Sequence, residues 1–144
     1  MLRKATLDDL PALIAMAGAM LADSDYVPFD VSAERFEAFV MPLITHGFAM
    51  VKESDGELVG AVLGDVITPW FSTKRMGIEY AVYIRPDKRN GLTAARMIAQ
   101  WVQWCKGHGA IQCRAGISTG NMAIARLYER FGFRRSGTNF ILDF

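Results

Sequence analysis

The chain has 144 residues, of which 51% are hydrophobic and 22% charged, with a formal net charge of +1. That length suits one domain able to bury about two-thirds of its unfolded surface, and the balanced charge supplies no basic field for nucleic acid. Met1 to Asp9 holds no apolar signal core, and the longest uncharged apolar stretch, Leu10 to Ala22, is shorter than the ~20 residues that span a bilayer, so the expectation is a cytoplasmic protein with neither membrane nor nucleic-acid partner.

Leu2 to Ala5 reads as a short opening strand. Thr6 then offers an N-cap with Asp9 three residues on, and Pro11 is tolerated in a first helical turn. Leu10, Leu13, Ile14, Ala17 and Leu21 recur at helical spacing. Tyr26 to Asp30, with Pro28 inside it, breaks the pattern as a loop. A second helix is expected from near Ser32, with Phe36, Phe39, Val40, Leu43 and Ile44 on one face and Gly47 ending it. The middle reads as strands: Phe48 to Glu53, an Asp55-Gly56 hairpin turn, Glu57 to Ile67, a loop from Thr68 to Lys74 carrying Trp70 and Phe71, then Gly77 to Ile84. The last third alternates. A helix from Thr93 to Gly107 turns Ala95, Ile98, Ala99, Val102 and Cys105 inward. A strand follows from Ala110 to Ile117, a helix from Asn121 to Phe131, and one or two strands from Phe133 to Phe144. No repeat or linker interrupts the chain, so it reads as a single α/β domain over residues 1–144, whose tail favours a right-handed crossover between parallel strands.

The two cysteines, Cys105 and Cys113, make no disulfide framework and no metal-ligand cluster. They read as small buried hydrophobes, compatible with a reducing compartment. No metal site is expected. His46 and His108 lie at helix ends, where surface imidazoles are ordinary.

Two segments carry chemistry. In the first, Ile84-Arg85-Pro86 ends a strand, and Asp87-Lys88-Arg89-Asn90-Gly91-Leu92-Thr93-Ala94 turns into a helix. Unpaired N–H groups and the positive end of the helix dipole make such a turn an anion site. Gly91 admits a phosphate close to the backbone, and Lys88 and Arg89 add charge-assisted donors. In the second, Asn121 precedes a helix, Tyr128 follows two turns later on nearly the same face, and Gly132-Phe133 closes it.

Together, in this order and with a helix and strand between them, these segments resemble the GNAT superfamily of acyl-CoA N-acetyltransferases. That family's first motif is a strand ending Val-x-Pro, then Arg/Gln-x-x-Gly-x-Gly/Ala and a helix; its second is Asn, Tyr seven residues on, and Gly-Phe. Ile84-Arg85-Pro86 and Asn121, Tyr128, Gly132 and Phe133 match. Lys88 stands where the family has Arg or Gln and Thr93 where it has a small residue; alternatively Arg89 and Ala94 fill those positions with the loop one residue shorter.

The resemblance implies a mixed sheet of six to seven strands flanked by about four helices, with a splayed parallel pair in the middle. It implies acetyl-CoA as cofactor, held by Lys88, Arg89, Asn90, Gly91, Leu92, Thr93, Ala94 and Asn121, with its pantetheine arm on the backbone of Val82 and Ile84 like an added strand. It implies direct attack of a small-molecule or peptide amine on the thioester, with Tyr128 as general acid, and Glu79 is the candidate base. Tyr26, Phe29, Asp30, Trp70 and Phe71 are candidates for the acceptor wall, the aromatics equally for a contact in a homodimer. The alternatives are a weakly active or inactive acyl-CoA-binding or protein-interaction module of the same fold, and a nucleotide-binding domain, for which no Gly-x-x-x-x-Gly-Lys-Ser/Thr or Gly-x-Gly-x-x-Gly loop is present.

Overall fold

The structure is a computed structural model describing residues 1–119 and 122–144. Five strands form one sheet in the order β1 (Leu2–Lys4), β2 (Phe48–Ser54), β3 (Glu57–Ile67), β4 (Arg75–Ile84), β5 (Ala110–Arg114). All neighbours are antiparallel except β4 and β5, which run parallel. Four helices accompany them: α1 (Leu10–Ala22), α2 (Ala33–Thr45), α3 (Leu92–Gly107) and α4 (Met122–Arg130).

Local chemistry sets the helix starts. The Thr6 N–H donates to Asp9 Oδ2 at 2.8 Å, the back-reaching half of a capping box. Asp9 is also gripped by Arg3, Nη1 to Oδ2 at 2.8 Å, which fastens β1 to the first turn. Ser32 Oγ accepts from the Arg35 N–H and caps α2.

The sheet is buried on both faces, and residue parity divides the core. On one side Ala49, Val51, Ala61 and Leu63 meet Leu10 and Leu13 of α1 and Val40 and Leu43 of α2. On the other, Phe48, Met50, Val62, Val66 and Ile84 meet Ala94, Met97, Trp101 and Cys105 of α3. This is why β3 is a nearly continuous apolar run: its side chains alternate between two dry layers. Trp101 is fully buried at the centre of the second layer.

The β3–β4 ladder carries a bulge. Leu63 pairs with Ala81 and Gly64 with Glu79, which leaves Tyr80 without an opposite number. Below it, Gly77 faces α3; above it, Val82 and Ile84 do.

Three sequence expectations change. The sheet has five strands among the described residues, not six or seven, because Phe133 to Phe144 forms none, and the parallel pair β4–β5 therefore lies at the sheet's edge rather than in its middle. Past Phe133, which packs against Trp101 and Tyr128, the tail pairs with no strand among the described residues, and Phe140 is 93% and Leu142 77% exposed. On α3 Ile98 and Cys105 are fully buried as expected and Met97 and Trp101 join them, while Ala95, Ala99 and Val102 are only half-buried. Phe39 does not enter the α2 core; 48% exposed, its ring packs edge-on against Tyr80 with centroids 4.8 Å apart.

Candidate active site

β4 and β5 are in register at Arg75, Gly77 and Ile78. Beyond Ile78 no further pairing joins them among the described residues, so β4 keeps an open edge from Glu79 to Ile84. The gap opens into a cleft of about 1380 Å³, lined by Glu79 to Ile84 of β4, Arg89 to Leu92 and Ala94 of the next turn, Gly116 to Thr119, the inner face of α4, and tail residues Asn139 to Asp143.

At its floor, Glu79 Oε2 accepts from the Gly116 N–H at 3.2 Å and, loosely, from the Tyr128 hydroxyl at 3.5 Å. Burial pushes the Glu79 carboxyl up to about 7, against the opposing pull of these two donors. Tyr128 is the one buried residue among those described in α4. Its hydroxyl is pushed well above the usual tyrosine range, first by burial and then by the charge of Glu79. The ring is wedged against Phe133, centroids 5.1 Å apart, and the Phe133 N–H returns to the Tyr128 carbonyl at 3.1 Å. Gly132, at φ 89°, makes that reversal affordable to the backbone.

At the other end, Gly91 caps α3 with φ 78°, and a Cβ built there would meet nothing within 4 Å. The first N–H groups of α3 are satisfied by Asn90, whose Oδ1 accepts from Leu92 at 3.1 Å and Thr93 at 3.3 Å. Arg89 Nε donates to the Ile84 carbonyl at 2.7 Å, and its guanidinium lies 5.8 Å from the centre of the Tyr83 ring. Arg126 and Arg130, one helical turn apart on α4, line the same cleft.

Of the residues singled out in the sequence, Glu79, Tyr128, Val82, Ile84, Arg89, Asn90, Gly91, Leu92, Ala94, Tyr26 and Phe29 all lie on this cleft. Lys88 and Thr93 do not. Lys88 ends a 3-10 turn ahead of it, and Thr93 is buried against the body of the protein. Trp70 and Phe71 stack edge-to-face on each other, 95% and 69% exposed, outside the cleft wall. They belong to a turn closed by the Ser72 N–H on the Pro69 carbonyl, ahead of the first residue of β4. Asp30 is likewise outside, and Asp25 takes its place on the wall. Asn121 lies outside the described residues. His46 and His108 cap α2 and α3 away from the cleft.

Sequence reasoning missed Asp25, Gly116, Arg126 and Arg130. The arginine pair carried a readable signal: like charges four apart on a helix repel, so an anion between them offsets a cost. The Asp25 placement depends on the bridge between Ser24 and Thr119 and the Asp25 N–H on the Ser118 carbonyl at 2.9 Å, contacts made across most of the chain.

No curated protein matches the chain closely. Solved structures share its fold. A ribosomal-protein-alanine N-acetyltransferase from Brucella melitensis superposes with a TM-score of 0.77 at 24% identity, over 95% of this chain and 86% of that one. A predicted acetyltransferase from Clostridium acetobutylicum, solved with acetyl-CoA, gives 0.78 at 16% identity over 99% and 95%. An aminoglycoside 6'-N-acetyltransferase from Acinetobacter haemolyticus gives 0.73 at 14% identity over 99% and 97%. The acetyltransferase (GNAT) family model matches residues 19–133, most of the length and every element from the end of α1 to Phe133, and the chain belongs to that family.

Proposed function

We propose that the protein is an acetyl-CoA-dependent N-acetyltransferase whose proton traffic runs through Glu79 and Tyr128. The observation that carries this is the contact of the Tyr128 hydroxyl with Glu79 Oε2, 3.5 Å apart on the floor of one cleft.

The residues present suit coenzyme A. The open edge of β4 at Val82 and Ile84 offers backbone groups to an amide-bearing arm. The space over Gly91 admits a pyrophosphate, and Arg89, Arg126 and Arg130 supply charge for an anionic nucleotide. When bound, acetyl-CoA supplies an activated thioester whose carbonyl the amine attacks and whose sulfur leaves.

The chain's own part is to move one proton. A carboxyl at about 7 is divided between its two forms near neutrality, so Glu79 can take a proton from an incoming ammonium. Tyr128 would hold a proton for the departing sulfur of a bound thioester. Its raised pKa makes a lasting tyrosinate costly, so its proton has to be replaced at once, and the protonated Glu79 beside it is the donor. Amine, Glu79, Tyr128 and sulfur thus form one relay with no net change on the protein. Tyr26 and Phe29, with ring centroids 6.4 Å apart, and Asp25 form the far wall, where an ammonium gains about 0.5–2 kcal/mol from aromatic faces.

Tyr128→Phe is the test. It keeps the ring and removes only the relay hydroxyl. Turnover of acetyl-CoA with a panel of amines should fall about 10²-fold or more while coenzyme A affinity holds. A variant as active as the parent removes tyrosine from the reaction.

A further inference from the structure

Cys105 and Cys113 come from different elements, yet their sulfurs converge. Cys105 is fully buried on α3; Cys113 is half-buried on β5; neither is in a disulfide. Between them lies Gly77 of β4, the register partner of Cys113. A Cβ built on Gly77 would stand 2.7 Å from the Cys105 sulfur and 2.9 Å from that of Cys113. Both thiols therefore occupy the space that any other residue at position 77 would fill.

We propose that Cys105 and Cys113 are an oxidant-responsive dithiol, which a peroxide converts to an intramolecular disulfide tying α3 to β5. Accessibility orders the steps. Cys113 is the less buried residue of the two, and its thiolate attacks the peroxide O–O bond, giving a sulfenic acid and releasing hydroxide. Cys105, buried against it, then attacks that sulfur, forming the S–S bond and expelling a second hydroxide. The two thiol protons convert both hydroxides to water. In all, two thiols lose two electrons and one peroxide gains them.

The electrostatics run the same way. Interaction between the two sulfurs lowers the Cys113 thiol and raises that of Cys105, and Lys106 favours the Cys113 anion further. Low thiolate pKa, access and an adjacent resolving thiol together mark redox-sensing cysteines. The placement gives the link a consequence. Gly77 and Ile78 are the last residues of β4 in register with β5, and Glu79 follows directly. A disulfide there would tie α3 to β5 beside the point where β4 and β5 part.

The native protein should be treated with substoichiometric to equimolar hydrogen peroxide, alkylated, and mapped by mass spectrometry without reduction. The expected product is one peptide pair joined through Cys105 and Cys113, with both free thiols lost together and restored by dithiothreitol. In Cys105→Ser, a dimedone adduct should accumulate on Cys113 instead. Sulfinic acid on Cys113 of the unmutated protein without any crosslink overturns the proposal, as do thiols that stay free or disulfides between molecules. Because the unmutated protein decides the matter, a variant that fails to fold does not blunt the test.

Discussion

The two ends of the sheet are built differently. At the β1–β3 side, strands alternate into two packed layers, and Val51, Val59 and Val62 are essentially inaccessible. At the β5 side, Ile111 is 70% exposed, α4 buries Tyr128 alone among its described residues, and the tail past Phe133 covers little. The platform is held by area, the site by a few directed contacts. Tyr128 therefore anchors its helix and, in the proposed mechanism, also serves the reaction, so its ring and its hydroxyl are separable experiments.

The comparison breaks most visibly at Trp101. Trp101→Ala empties the centre of the α3 layer and should cost about 3–5 kcal/mol in chemical denaturation. If the cost is below about 1 kcal/mol, the platform is not where stability resides. Trp101 also carries a buried ring N–H with no partner among the described residues, so Trp101→Phe should lose much less than the loss of ring area alone would suggest.

Glu79 separates activity from stability. Below about pH 6 the carboxyl is protonated and cannot serve as base, so Glu79→Gln and the parent should converge. As pH rises through about 7 the parent should pull ahead, reaching about 10²-fold at pH 8. A constant ratio across the pH range removes Glu79 from proton transfer. The sign for stability is opposite. The folded pKa of about 7 lies above the ordinary glutamate value of 4.5, so the folded state holds its proton more tightly and stability falls as pH rises between the two. At pH 8 Glu79→Gln should be more stable than the parent, by about 1–2 kcal/mol after allowance for partial exposure.

Asn90 should show a smaller, conditional effect. Its side chain caps α3 through the N–H groups that a phosphate would take. Asn90→Ala should lower the stability of the free protein by about 1 kcal/mol, and saturating coenzyme A should shrink that difference in thermal shift. An undiminished difference would mean that the phosphate does not reach those donors. Smallest of all, Phe140→Ser should change unfolding free energy by no more than about 0.5 kcal/mol, because its ring is 93% exposed. A larger loss would show that the tail packs after all.

The sequence was most legible where period and punctuation agree. Ser32 and Gly47 bracket α2, and Asp55-Gly56, with Asp55 at φ 54° and Gly56 at φ 78°, turns β2 into β3. Tyr128 stood out through its spacing from Asn121 and Gly132, and Glu79 as the opening of the strand that ends at Pro86; the structure sets Glu79 in the middle of β4 and brings the two within 3.5 Å, a contact no local spacing contains. The tail was not. Phe140, Ile141, Leu142 and Phe144 look like strand residues, but pairing is a property of a partner edge, which local sequence does not contain. Phe39 misled for a related reason: helical spacing names a face, while the Tyr80 ring waiting on β4 decides what that face touches. Arg89, rather than Lys88, reached the cleft because the 3-10 turn from Pro86 to Lys88 rotates the chain just before it.

The unmatched Tyr80 has a consequence for the life of the protein before ligand arrives. A bulge bends its strand and sharpens the local twist, and it sits where β4 stops pairing with β5. The result is a sheet with an edge in its interior as well as at its rims. Exposed edges recruit strands from other chains. The aggregation hazard therefore lies along the same open edge of β4 that the proposed function gives to coenzyme A, so an occupant of that edge would also shield it.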